Sequence, residues 1–251
     1  MTARPSRRML LGAVPGLVLA ACGVGRKHAT AQRKTAAAPA RSSTTAVTSP
    51  PDLPAFVRHG DATTEAVALT FHGSGDVALL DKLLTVAADR SAPLTVFAVG
   101  QWLDANPSLA RRLIDGGHEV ANHTYTHPSL GHVVGAALRD EIVRCREALT
   151  RHAGEPGRWF RPSGVVVPSQ TILDAAAAAG YRTVVGYDVD PRDYQDPGAA
   201  AVRSRTIAGL HPGAIVSLHT GHAGTVEALP AILDAIEARA LRPVTVSRLL
   251  A

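Results

Sequence analysis

Cysteine is nearly absent. Cys22 and Cys145 are the only two in 251 residues, so at most one disulfide is possible and no disulfide framework supports a fold. Aromatic residues make up 4% and charged residues 19%, which excludes both an aromatic-rich binding module and a disordered polyelectrolyte. Acids are missing from residues 1–50, which hold eight of the 26 Lys and Arg; residues 51–251 therefore carry 18 bases against 21 acids. The overall charge of +5 thus reflects the amino terminus, and the rest lacks the clustered bases of a nucleic-acid footprint. What remains is 46% hydrophobic, enough for one sizeable domain with its own core.

The amino terminus reads as an address. Ser6-Arg7-Arg8-Met9-Leu10-Leu11 resembles a twin-arginine export signal. The apolar stretch from Met9 to Ala21 spans only ~20 Å at helical rise, short of the ~30 Å hydrocarbon core, so it reads as a signal segment rather than a membrane helix. Leu19-Ala20-Ala21-Cys22 resembles a bacterial lipobox, in which Cys22 would receive the lipid. Residues 23–55, rich in Ala, Thr, Ser, Pro and Arg, read as a disordered tether. The expectation is an exported protein, lipid-anchored to the outer face of a bacterial cell membrane, with its domain at 56–251.

Beyond residue 60, short β-rich runs alternate with longer Ala/Leu-rich ones. Strands are expected at Val67–Phe71, Thr95–Val99, His118–Asn122, Arg158–Phe160, Tyr181–Tyr187, Ala214–Leu218 and Pro243–Val246. Helices are expected at Val77–Ala88, Ser108–Asp115, Ala136–Arg151, Ser169–Ala179, Ala199–Gly209 and Thr225–Ala240. This alternation predicts an α/β domain with a largely parallel sheet, open or closed into a barrel. In such folds active groups gather at the carboxyl ends of strands. His72, His123, His127, Arg161, the aspartates Asp188, Asp190 and Asp193, and His219 all follow predicted strands.

His123 and His127, four residues apart, suit a divalent metal, most simply zinc, with Asp76 or His72 as third ligand. Asp76 is equally placed to cap the helix starting at Val77. His219 ends an apolar strand, and Asp190 is placed to bond its ring. An opposite charge favours the imidazolium, which makes His219 a candidate general acid.

These residues together resemble the NodB-homology polysaccharide deacetylases, carbohydrate esterase family four, over roughly residues 64–250. His123-Thr124-Tyr125-Thr126-His127 matches the H-[ST]-x-x-H metal motif, and Phe160-Arg161-Pro162-Ser163-Gly164 closely resembles the R-x-P-x-G type groove motif. Asp190-Pro191-Arg192-Asp193-Tyr194 matches D-x-x-D-W with Tyr for Trp, and Leu218-His219 the terminal L-H motif. The resemblance implies a distorted (β/α) barrel that removes N-acetyl or O-acetyl groups from a glycan such as peptidoglycan or chitin fragments by metal-activated water. His123 and His127 would hold the metal, His219 tuned by Asp190 would protonate the leaving amine, and Arg161 would orient a carboxylate base. Pro162 and Tyr194 would line the sugar groove.

The first motif departs from the family. Where T-F-D-D-G supplies a base and a ligand, this chain reads Thr70-Phe71-His72-Gly73-Ser74-Gly75-Asp76. Either Asp76 reaches the metal, leaving His72 as base, or His72 joins His123 and His127 in a three-histidine site. Arg161 nearby would lower the pKa of His72, and a neutral His72 is available as a base and as a ligand. The alternative function is a catalytically silent carbohydrate-binding lipoprotein on the same fold.

Overall fold

The computed structural model describes residues 53–251; the stretches read as a signal and a tether, with Cys22, lie outside them as far as residue 52. Within this part the strands are β1 (Phe56–Val57), β2 (Ala66–Gly73), β3 (Thr95–Ala98), β4 (Glu119–Asn122), β5 (Val184–Val185), β6 (Ile215–His219) and β7 (Arg242–Pro243). The helices are α1 (Val77–Asp89), α2 (Gly100–Ala105), α3 (Leu109–Asp115), α4 (Gly135–Ala153), α5 (Gln170–Ala178), α6 (Ala199–Gly209), α7 (Ala223–Ala238) and α8 (Val246–Leu249).

Side chains alternate across a strand, and here that parity sorts the barrel. Along β2, Val67, Leu69 and Phe71 face outward into a core shared with α1, α3 and α7. Ala66 and Ala68 face inward, where they pack with Phe97, Ala121, Val185 and Ile215. The inward series of β2 continues through Thr70 to His72, that of β4 from Ala121 to His123, and that of β6 through Ser217 to His219. Small apolar residues fill the lower barrel, and the same faces turn polar toward the carboxyl ends.

All pairings are parallel. The order is β4-β3-β2-β6, with β7 against the start of β2 and β1 against β5. Single bridges Asn122–Phe160 and Phe160–Val184 carry the ring from β4 to β5, and Val189–Val216 returns it to β6. The result is a closed but irregular circuit, a distorted (β/α) barrel. Register sets the level of the site: His72 pairs with His219, Gly73 with Ala98, and Ala98 with Asn122.

Several expectations need correction. The Arg158–Phe160 strand reduces to the single residue Phe160, which bridges Asn122 on one side and Val184 on the other, and the Tyr181–Tyr187 strand shrinks to Val184–Val185. The β-branched run ending at Val246 is not a strand throughout: Thr245 Oγ1 accepts from Arg248 N and caps α8. Cys145 is buried in α4 with its thiol against the Ala98 carbonyl, and burial pushes it up to about 12. It is protonated and inert at neutral pH.

Candidate active site

The loop after β4 that carries His123 and His127 turns through two left-handed residues. Thr124 has φ 68° and His127 φ 62°, conformations that cost a non-glycine residue on the order of 1–3 kcal/mol unless the surroundings enforce them. The enforcement is visible. Glu141 of α4 accepts from Tyr125 N at 2.9 Å, Thr126 N at 2.8 Å and Thr126 Oγ1 at 2.7 Å. Asn122 Oδ1 accepts from Thr124 N, while its amide donates to the Ile142 carbonyl and to Tyr181 Oη. The H-x-x-x-H spacing thus works as a clamped loop.

His72 joins this pair from β2. One side-chain nitrogen from each of His72, His123 and His127 lies within 4.8 Å of the others, and the His72 and His123 ring centroids are 4.2 Å apart. Asp76 is not part of the group. It is exposed, and its Oδ1 accepts from Ala78 N at the start of α1, so the expectation of Asp76 as ligand gives way to its role as helix cap. Gly73, at the family's ligand-aspartate position, has no room for a side chain: a Cβ there would lie 2.6 Å from Val96 and 2.8 Å from Trp102.

Among the described residues one buried side-chain polar atom has no hydrogen-bond partner, His123 Nε2. Its other nitrogen is bonded to the Arg161 carbonyl at 2.8 Å. Leaving a buried polar atom unpaired costs about 1–3 kcal/mol, a cost that binding a cation removes. The three rings fit one. Burial first, then the neighbouring positive groups, hold His72 and His123 well below the ordinary imidazole value. Burial and His219 lower His127 as well. Neutral imidazoles offer lone pairs, the form a divalent metal requires.

Arg161 lies beneath, completely buried. It donates to the carbonyls of Val185 at 3.0 Å and Gly186 at 2.8 Å and to Thr70 Oγ1 at 2.8 Å, with its guanidinium 4.0 Å from the Phe97 ring centroid. No carboxylate pairs with it among the described residues, contrary to the role the resemblance implied. Burial brings it down to about 9, so it remains a cation at neutral pH and helps keep His72 neutral.

The partner of His219 is Asp193, not Asp190. The chain turns through Arg192 at φ 55°, which carries Asp193 beneath the end of β6. There its Oδ1 lies 2.7 Å from His219 Nδ1, and its Oδ2 accepts from His219 N at 2.8 Å and Thr225 Oγ1 at 2.6 Å. Asp190 is exposed, with Oδ1 accepting from Arg192 N. His72, His127, His219, Pro162 and Tyr194 border a pocket of about 300 Å³, which Asp190 also touches. Three contributors escaped the sequence reading. Ser217, with Oγ 3.3 Å from His72 Nε2, follows from strand parity two residues before His219. Tyr187 lines the pocket beyond the carboxyl end of β5. Glu141, distant in sequence, left no local signal.

A parallel (β/α) barrel with clustered imidazoles and a histidine–aspartate pair at its carboxyl end defines a hydrolase-type site. Residues 59–184 match the polysaccharide deacetylase family, and the chain belongs to that family. It is 36% identical over 174 residues to the chitooligosaccharide deacetylase of Bradyrhizobium sp. (strain ANU 289), covering 65% of this chain and 75% of that protein. It is 31% identical over 188 residues to a peptidoglycan-N-acetylglucosamine deacetylase of Bacillus cereus, covering 73% and 87%. Among solved structures it resembles a mutant of BA3943, a CE4 family pseudoenzyme, with restored enzymatic activity: TM-score 0.74, 26% identity, 79% of this chain and 72% of that one.

Proposed function

We propose that this chain is a metal-dependent hydrolase that removes N-acetyl groups from glucosamine units of a chitin-type or peptidoglycan glycan. One observation carries the reading: the unpartnered, buried Nε2 of His123 beside His72 and His127, in a family whose relatives are named for N-acetylglucosamine and chitooligosaccharide deacetylation.

His72, His123 and His127 would hold the cation, zinc first among the ions that imidazole suits. Once bound, it would supply Lewis acidity toward the amide oxygen and a water of lowered pKa. The chain's own residues do the rest. Pro162, Tyr187 and Tyr194 border the pocket and offer apolar faces to a sugar ring. Asp193 fixes the His219 ring by its Nδ1 and leaves Nε2 to protonate the leaving nitrogen. Glu141 and Asn122 hold the metal-binding loop in its costly conformation.

The test is acetate release from N-acetylglucosamine oligomers and peptidoglycan by the metal-loaded full chain. Acetate release supports the reading. Stoichiometric zinc with no acetate from any acetylated glycan would instead support a silent carbohydrate-binding protein, a reading favoured by one feature: Gly73 and His72 replace the family's two aspartates. We propose further that the chain is exported and anchored through a lipid on Cys22, on the strength of Arg7-Arg8 and Leu19–Cys22. Cys22→Ser is expected to move the protein from the membrane fraction to the soluble one.

A further inference from the structure

We propose that His219, positioned by Asp193, makes both proton transfers of the deacetylation, acting as base toward the attacking water and then as acid toward the leaving nitrogen. The inference rests on the deacetylase reading and deepens it.

Within the pocket the other candidate bases are engaged elsewhere. His72, at the family's base position, is drawn into the imidazole cluster, with its Nε2 against Ser217 Oγ. Glu141 sits behind the loop with its oxygens bonded to Tyr125 and Thr126. Asp190, the one carboxylate bordering the pocket among the described residues, is exposed at the mouth and bonded to its own turn. Among the described residues Arg161 has no carboxylate to orient. His219 is different. Its ring centroid is 4.3 Å from that of His72, it borders the pocket, and Asp193 takes its Nδ1 and leaves Nε2 on the pocket side. The attacking oxygen and the leaving nitrogen are bonded to the same carbon, so one nitrogen can serve both in turn.

In the first step a water lone pair forms the C–O bond, the carbonyl π electrons move onto its oxygen, and the water proton passes to Nε2. In the second the C=O bond re-forms and the C–N bond breaks with its electrons on nitrogen, which takes the proton from Nε2. Acetic acid and the free amine result, and His219 is neutral again. Buried Asp193 stabilises the imidazolium between the steps.

The test uses His219→Ala and His219→Gln in the zinc-loaded full chain, with zinc content measured alongside two activities. One substrate is an N-acetylglucosamine oligomer. The other is 4-nitrophenyl acetate, whose phenolate departs without a proton. Loss of base and acid together lowers both rates, the aryl ester roughly 10²–10⁴-fold through the base alone and the amide at least as far, with zinc content unchanged. Variants that keep the wild-type rate on the aryl ester and lose only the amide would show an acid with its base elsewhere, and would overturn the proposal. Loss of zinc would make His219 a ligand and overturn it too. A wild-type chain that releases no acetate from any glycan would remove the deacetylase reading itself and this inference with it.

Discussion

Acidification of the metal-free protein tests the imidazole cluster without reference to activity. Burial and neighbouring cations keep His72 and His123 neutral in the fold to well below 6.5, whereas in the unfolded chain both titrate near that value. Below pH 6.5 the unfolded state binds protons that the folded state refuses, so stability falls with falling pH and levels off once the folded values are reached. The slope fades over about a pH unit above 6.5 as the unfolded chain loses its protons. Each buried histidine contributes up to about 1.4 kcal/mol per pH unit. The two together lower stability by an amount on the order of 3 kcal/mol at most between pH 6.5 and 5, a sizeable share of the ~5–15 kcal/mol of a typical domain. His127, lowered more weakly, adds to it. Urea unfolding of the chelator-treated full chain, followed by circular dichroism at half-unit steps from pH 5 to 8, measures the slope. His123→Leu should remove about half of it. A stability profile that is flat or rises on acidification would refute the electrostatic account of the cluster.

Other outcomes follow from single contacts. Glu141→Ala, which frees the loop between His123 and His127, should weaken zinc binding about 10–100-fold in calorimetric titration. Asp76→Ala should cost about 1 kcal/mol in urea unfolding through the lost cap while zinc affinity stays unchanged; a matching loss of zinc would return Asp76 to the ligand set. Gly73→Asp, which restores a family residue, should destabilise the fold by about 1–3 kcal/mol, because Val96 and Trp102 occupy the space its side chain needs. Arg161→Lys should cost about 2–3 kcal/mol by thermal unfolding, since a point ammonium cannot span two carbonyls and Thr70 as the guanidinium fork does.

Much of this was legible in the sequence because the strands are amphipathic in a simple way. Ala66-Val67-Ala68-Leu69-Thr70-Phe71-His72 alternates small and large, and that parity alone aims His72 inward. Helix α6 matches its expected bounds at Ala199–Gly209, His123 and His219 sit at strand ends as the pattern required, and Arg161 follows the bridge residue Phe160. The failures share a cause, since each depends on where the chain turns rather than on what a residue is. Asp190 and Asp193 are equivalent in a D-x-x-D reading until the left-handed turn at Arg192 buries one and exposes the other. Asp76 had two plausible uses, and the local one, the cap, occupies its carboxylate. Val244-Thr245-Val246 has strand composition but begins a helix because Thr245 caps it. Helix α2, starting at Gly100 directly after β3, was too short to show a period.

The central claim is that three imidazoles from two strand ends and one loop share a single cation. Anomalous diffraction at the zinc edge from crystals grown with zinc tests it directly. The account predicts one peak bonded to His72, His123 and His127 at about 2.0–2.1 Å with Asp76 still capping α1; a peak held by Asp76 in place of His72, or no peak among the three rings, would contradict it.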